Sequence, residues 1–195
     1  MEVLKKGYNS EILVPVTAIL ESERFLFLEG EINQSMADEF AKQVMHLVIQ
    51  DNTTPINVII DSGGGEVDAG LKICDIVSTC PCKVNAFCFG KAYSMGAIIF
   101  ESVNGERCLI GNSKLMLHQP SVQGLQHGTA GEVEALSKRL RAKNDFLLSI
   151  VADKCKWSLK KLKEETVADR YFEAEEALKL NLVDRIVNFS DLMSF

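Results

Sequence analysis

Two periods of apolar spacing run along this chain, and the switches between them mark its elements. Arg24 to Gly30 (RFLFLEG) is a short apolar run that predicts a strand. After a polar start at Asn33 to Ser35, the residues Met36, Ala37, Phe40, Val44, Leu47 and Val48 follow a three-four spacing, which predicts a helix over 34–50. The continuous apolar run Asn57 to Ile60, bounded by Asp51 to Pro55 and by Asp61 to Gly65, predicts a strand with both faces buried. A helix near Glu66 to Ser78, a strand near Lys83 to Cys88 and a helix from Ser94 to Glu101 come next. Short strands are expected at Arg107 to Ile110 and Leu115 to Leu117. Strands alternating with helices imply right-handed crossovers and a largely parallel sheet, so the predicted class is α/β.

The C-terminal third opens with a Gly-containing polar stretch, Ser121 to Gly131. A long amphipathic helix is expected after it, with Val133, Leu136, Leu140, Phe146, Leu147, Ile150 and Val151 on its apolar stripe. Glu132, Lys138, Arg139, Arg141 and Lys143 lie opposite. Such a helix either covers the sheet or protrudes to meet another subunit, and periodicity does not separate the two. No internal repeat interrupts the pattern, and 195 residues suit one domain spanning 1–195.

Composition narrows the functional classes. A net charge of −6 provides no basic footprint for nucleic acid. Met1 to Ser10 lacks the apolar core of a signal peptide, and no apolar run approaches a membrane span, so a cytoplasmic protein with no membrane partner is expected. None of the six cysteines forms a C-x-x-C pair; Cys80 and Cys82 flank Pro81 as in a turn. Reduced, mostly buried thiols are expected, with no metal and no cofactor.

Three motifs each begin where an apolar strand ends, the place where sites gather in α/β sheets. They are Asp61-Ser-Gly-Gly-Gly65, Gly90-Lys-Ala-Tyr-Ser94-Met-Gly-Ala97 and Met116-Leu-His118-Gln-Pro120. Ser94 stands at a strand-to-helix junction, so the N–H of Met95 is free to donate to an oxyanion formed there. The local sequence also allows Ser94 as an ordinary helix cap. The glycine triplet exposes backbone N–H groups to an anion or carbonyl, or makes a tight turn; it lacks the Lys-Ser/Thr ending of a P-loop. Of the three histidines, His46 falls on a helix edge and His127 in the polar stretch. His118, at a strand end, is the best placed general base for a serine. Asp153, Asp169 and Asp184 remain equal candidates to orient it.

Read together, the motifs resemble the Clp protease proteolytic subunit family: a Gly-rich turn, G-x-A-x-S-M-G, a strand ending in M-x-H-Q-P, and a late D-R-x-x-x-A-x-E-A segment. The last is matched by Asp169-Arg-Tyr-Phe-Glu-Ala-Glu-Glu-Ala177. The resemblance implies a crotonase-like fold with a protruding strand-helix handle at about 121–152. It implies a serine endopeptidase with Ser94 as nucleophile, His118 as general acid and base, and Asp169 as the residue orienting the imidazole. The N–H groups of Gly65 and Met95 would form the oxyanion hole, and Gly64, Gly65, Glu66, Gln119 and Pro120 would contact substrate. A peptide or unfolded-protein substrate, a heptameric ring, possible pairing into a tetradecamer and a Clp-type ATPase partner follow from the same likeness. Two positions that in the family often carry aromatics at the ATPase groove hold Ile59 and Cys108 here, with Phe87 and Phe89 as partial replacements. Gly63 stands where the family usually has proline, and Val167-Ala168 where an acid and an arginine commonly link two rings. An acyl-CoA hydratase or isomerase of the related fold, a silent ring subunit and a phage head-maturation protease are the alternatives.

Overall fold

The computed structural model describes residues 1–6, 11–121 and 128–193. Its first strands, β1 (Glu2–Lys6) and β2 (Glu11–Pro15), pair antiparallel apart from the main sheet, and α1 (Val16–Ser22) follows them. Then come β3 (Phe25–Ile32), α2 (Gln34–Gln50), β4 (Ile56–Gly65), α3 (Val67–Thr79), β5 (Val84–Tyr93), α4 (Met95–Ser102), β6 (Arg107–Ile110) and β7 (Lys114–Leu117). The chain ends with α5 (Ala130–Ala152), α6 (Leu159–Glu165), β8 (Arg170–Phe172), α7 (Ala174–Lys179), β9 (Arg185–Val187) and α8 (Phe189–Leu192). Among the described residues no helix is long and apolar enough to cross a membrane.

Strands β3, β4, β5, β6 and β9 lie side by side in that order, all parallel. Parallel strands need long crossovers, and these cover the sheet on its faces. Strand β4 shows the result: Val58 and Ile60 point into the larger core with Phe40, Ile73 and Phe100, whereas Ile59 joins Phe87, Cys108 and Leu192 on the other face. The alternation of side chains along a strand thus fills both cores, as the unbroken apolar run predicts.

Local chemistry sets the ends of α2. The Asn33 side chain accepts from the Met36 N–H at 3.0 Å and opens the helix. Arg24, in the left-handed region at φ 66°, closes it by donating to the Leu47 and Asp51 carbonyls at 3.1 and 3.0 Å. The inward row Ala37, Phe40, Ala41, Val44 and Leu47 is buried, as its spacing requires.

Strand β5 serves two neighbours in turn. Its first half, Ala86 to Cys88, pairs with β6; its second half, Lys91 to Tyr93, pairs with β7. Strand β7 then pairs antiparallel with β8. The sheet therefore forks at its C-terminal end, and β7 and β8 form a small flap beside β5.

Helix α5 differs from its predicted stripe. Its buried residues are Asn144, Leu147, Leu148 and Val151, packed against α4 and α6, all in the C-terminal half. Val133 and Phe146 are about half exposed. Phe146 is out of phase with the inward i, i+3, i+4, i+7 row, so helical geometry turns it outward. All six cysteines are unpaired, and burial pushes the thiols of Cys74, Cys88 and Cys108 up to about 12.

Candidate active site

Ser94 joins β5 to α4. It holds φ 52° and ψ −121°, a backbone conformation that a non-glycine residue adopts only where its surroundings enforce it. Its N–H donates to Met116 O at 2.8 Å, which ties the junction to β7. The side chain makes no capping hydrogen bond to α4, so Ser94 occupies the cap position without capping. Its Oγ turns instead to His118, whose Nε2 lies 2.7 Å away.

Register explains the meeting. Tyr93 is paired with Met116 in the parallel β5–β7 ladder, so the residues that follow, Ser94 and the strand end at His118, emerge side by side. Leu117 is paired with Arg170 in the antiparallel β7–β8 ladder, which sets Asp169 opposite His118. Asp169 Oδ1 is 3.3 Å from His118 Nδ1. Of the other acids, Asp184 binds the buried Arg107 through both carboxylate oxygens, and Asp153 caps α5. His46 is exposed beside Gln50, and His127 lies outside the described residues.

The glycine stretch is the far end of β4 rather than a loop. Gly64 and Gly65 pair with Glu31 and Ile32 of β3, and the Ser62 hydroxyl donates to Gly30 O at 2.6 Å. Both glycines need positive φ, 97° and 152°. A Cβ on Gly64 would come within 2.7 Å of Ser94 Cβ, and one on Gly65 within 2.1 Å of Ile32 O. This close approach brings the Gly65 backbone to the same cavity as Ser94 and Met95. Met95 is the first residue of α4, so its N–H has no acceptor within the helix.

The cavity beside Ser94 measures about 100 Å³ and is walled by Val67, Ile98, Leu147 and Leu148, with His118 and Pro120 at its edge. Its described lining contains no carboxylate. Of the residues that the sequence assigns to substrate contact, Gly65 and Pro120 line it. Gln119 borders a neighbouring groove, Gly64 lines a separate groove with Asp61 and Lys91, and Glu66 is exposed at the start of α3. Asn144, Leu147 and Leu148 of α5 reach the cavity without any motif to announce them. The described residues hold no cluster of metal-binding side chains.

A second, wholly apolar groove of about 230 Å³ opens on the other side of the sheet. Phe25, Phe27, Ile59, Phe89 and Phe189 line it, and the Phe89 and Phe189 rings lie 5.8 Å apart. Phe87 and Cys108 are fully buried in the core beneath. Of the four positions singled out for a docking groove, Ile59 and Phe89 line this one.

Comparison with known proteins agrees with the motifs. A family model described as Clp protease matches residues 9–190. The ATP-dependent Clp protease proteolytic subunit 3 of Synechococcus sp. (strain CC9902) is 32% identical over 183 residues, covering 93% of this chain and 91% of that protein. Proteolytic subunit 2 of Prochlorococcus marinus (strain MIT 9312) is 34% identical over 182 residues, covering 93% and 89%. Proteolytic subunit 2 of Chlamydia trachomatis serovar D is 31% identical over 187 residues, covering 95% and 91%.

Proposed function

The chain belongs to the Clp protease family and is a serine-type peptidase, and we propose that it cleaves peptide bonds through an acyl-enzyme on Ser94. The observation that carries this reading is the alignment of three side chains: Ser94 Oγ is hydrogen-bonded to His118 Nε2 at 2.7 Å, and Asp169 Oδ1 lies 3.3 Å from His118 Nδ1 on the far side of the ring. In this mechanism Ser94 Oγ attacks the scissile carbonyl carbon while its proton passes to His118 Nε2. Asp169 accepts from Nδ1–H, holds the imidazole in the tautomer that exposes a basic Nε2, and stabilises the cation that forms. The N–H groups of Gly65 and Met95 receive the negative charge that develops on the carbonyl oxygen. His118 returns the proton to the leaving amine, and a water molecule repeats the sequence to free the acyl group. A hydratase or isomerase would need acid and base carboxylates around the oxyanion site, and the described residues lining the cavity include none.

The proposal extends to assembly. A heptameric ring, single or paired into a tetradecamer, would confine Ser94 to an inner chamber. The solvent-exposed N-terminal half of α5 is the surface available for contact between rings, the role of a handle. A Clp-type ATPase would feed unfolded protein to the chamber, docking at the apolar groove around Phe89. Light scattering is expected to give a ring-sized particle, and a monomer or dimer under all salt conditions would exclude the chamber.

The decisive experiment is fluorophosphonate labelling of the wild type beside Ser94→Ala. The wild type is expected to be labelled and to hydrolyse short peptides, and Ser94→Ala to do neither. Hydrolysis undiminished in Ser94→Ala would remove Ser94 from the mechanism. An unlabelled wild type would favour a silent ring subunit.

A further inference from the structure

Two of the six cysteines meet at the end of the sheet away from Ser94. Helix α3 stops at Thr79, and Cys80-Pro-Cys82 leads into β5, whose other end delivers Ser94. Proline fixes its own φ and keeps the residue before it out of the helix, and Cys80 accordingly stands at φ −55° and ψ 135°. The turn is pinned from outside. The Asn104 side-chain amide donates to the Cys80 and Cys82 carbonyls at 2.9 and 3.1 Å and accepts from the Val84 N–H at 2.7 Å. The two sulfurs are thereby held in contact, Sγ to Sγ 3.5 Å. Among the described residues no other thiol reaches a second one; Cys88 and Cys155 donate instead to the Lys114 and Trp157 carbonyls. The pair is unequal. Cys82 is 3% exposed, and its Sγ lies 3.8 Å from Arg24 Nη2, a fixed cation for negative charge that collects on the sulfur. Cys80 is 9% exposed behind the exposed Pro81, and burial, with Cys82 beside it, pushes its thiol up to about 11.

We propose that Cys80 and Cys82 form an oxidisable dithiol, a modification site that a hydroperoxide closes into a reversible disulfide across Pro81. The inference is independent of the peptidase reading of Ser94. Cys82 Sγ, as thiolate, attacks one peroxide oxygen and the O–O bond breaks. The sulfur keeps one OH as a sulfenic acid, and the other oxygen leaves as hydroxide and takes up the thiol's proton to become water. Cys80 Sγ then attacks Cys82 Sγ: the S–S bond forms as the S–O bond breaks, and the departing hydroxide takes the Cys80 proton as a second water. Two thiols are oxidised and one peroxide is reduced. Closure shortens the 3.5 Å contact to a bond of about 2.05 Å, a movement of about 1.5 Å within a turn that already holds the sulfurs together. Hydrogen peroxide, little larger than water, suits a pair set this deep. The second thiol is what makes the modification reversible, since a solitary sulfenic acid goes on to irreversible acids. Closure also alters one acceptor of Arg24, whose guanidinium holds the Leu47 and Asp51 carbonyls at the end of α2.

The test treats the folded wild type with hydrogen peroxide, removes the excess with catalase, alkylates the remaining thiols in denaturant and digests the chain with trypsin. The peptide Ile73 to Lys83 contains Cys74, Cys80 and Cys82 and no methionine, so its mass reports thiol chemistry alone. It is expected to lose two hydrogens and to take one alkyl group, placed on Cys74 by fragmentation. Dithiothreitol added before alkylation should restore all three alkylation sites. The exposed Met45 and Met193 become sulfoxides and report the dose. In Cys82→Ser the loss of two hydrogens is expected to vanish. Three alkylated cysteines in a sample whose Met45 and Met193 are oxidised would overturn the proposal. So would a disulfide to Cys74, or a sulfinic acid on Cys82 beside an alkylated Cys80.

Discussion

Leu117 and Arg170 face each other across the β7–β8 ladder, and that pairing carries His118 and Asp169, one residue beyond, to within 3.3 Å. The acid proposed to orient the imidazole is thus set opposite it by strand register, since a one-residue slip would turn its side chain to the other face. Asp169→Asn preserves shape but no longer holds the imidazole in the useful tautomer. It is expected to lower kcat on short peptides by about 10³ to 10⁴-fold, with unchanged ring size in light scattering. Asp184→Asn provides the contrast: near wild-type kcat for the folded fraction, with a lower Tm, because Asp184 holds the buried Arg107. Wild-type turnover in Asp169→Asn would take Asp169 out of the triad.

The glycine strand makes a paired prediction. Gly64 combines φ 97° with a Cβ position 2.7 Å from Ser94 Cβ and 2.9 Å from Tyr93 O. Gly64→Ala therefore strains its own backbone and displaces Ser94, and a displacement near 1 Å of the proposed nucleophile is expected to cost about 10²-fold in rate. Gly63 has nothing within 4 Å of a Cβ and no positive φ. Gly63→Ala should leave kcat and the fluorophosphonate labelling rate close to wild type. Equal losses in the two variants would mean that the stretch acts through general rigidity rather than through contact with Ser94.

Burial in the large core pushes the Glu101 carboxyl up from 4.5 to about 8, although Arg107 Nη1 donates to it at 2.6 Å and pulls the other way. Asp184 nearby raises it further, and Lys154 opposes. A raised folded-state pKa means that, between pH 4.5 and about 8, the folded protein retains a proton that the unfolded chain has released. Stability from this group is complete below pH 4.5 and is lost as pH rises through about 8. Glu101→Gln keeps an acceptor for Arg107 and removes the titration. Thermal unfolding from pH 5 to 8.5 should show a Tm that falls more steeply with pH in the wild type than in Glu101→Gln. Parallel slopes would mean that Glu101 titrates alike in both states.

What could be read from the chain divides along the range of the interactions involved. Helices α2 to α4 and the apolar parts of strands β3 to β7 follow from local spacing, although β5 continues past the expected end at Cys88 to Tyr93, and Ser94 and His118 stand out because each follows such a strand. The extension of β4 through Ser62 to Gly65 does not follow, since glycine has little strand propensity and is held there by β3. Strands β8 and β9 span three residues each, too short for any period, and owe their existence to β7 and β6. For that reason Asp169 could be picked from among the acids only through family resemblance. Asn144 was hidden for the opposite reason: a polar residue on an amphipathic helix reads as solvent-facing until its neighbours in space are known.

The apolar groove on the opposite side of the sheet gives a test that separates chemistry from substrate delivery. Phe89 is 47% exposed and Phe189 58%, an unusual cost for aromatic rings unless another surface covers them. The groove lies away from Ser94, with the fully buried Phe87 and Cys108 beneath it, so a change at its rim need not reach the nucleophile. Aromatic anchors in pockets commonly dominate binding, and removing one weakens association by about tenfold or more. Phe89→Ala is therefore expected to reduce degradation of an unfolded protein in the presence of a Clp-type ATPase by that factor. Hydrolysis of short peptides assayed without the ATPase should stay within about twofold of wild type if the groove serves only delivery. Equal loss in both assays would show that Phe89 supports the fold or the ring. Full retention of ATPase-driven degradation would place the docking surface elsewhere on the chain.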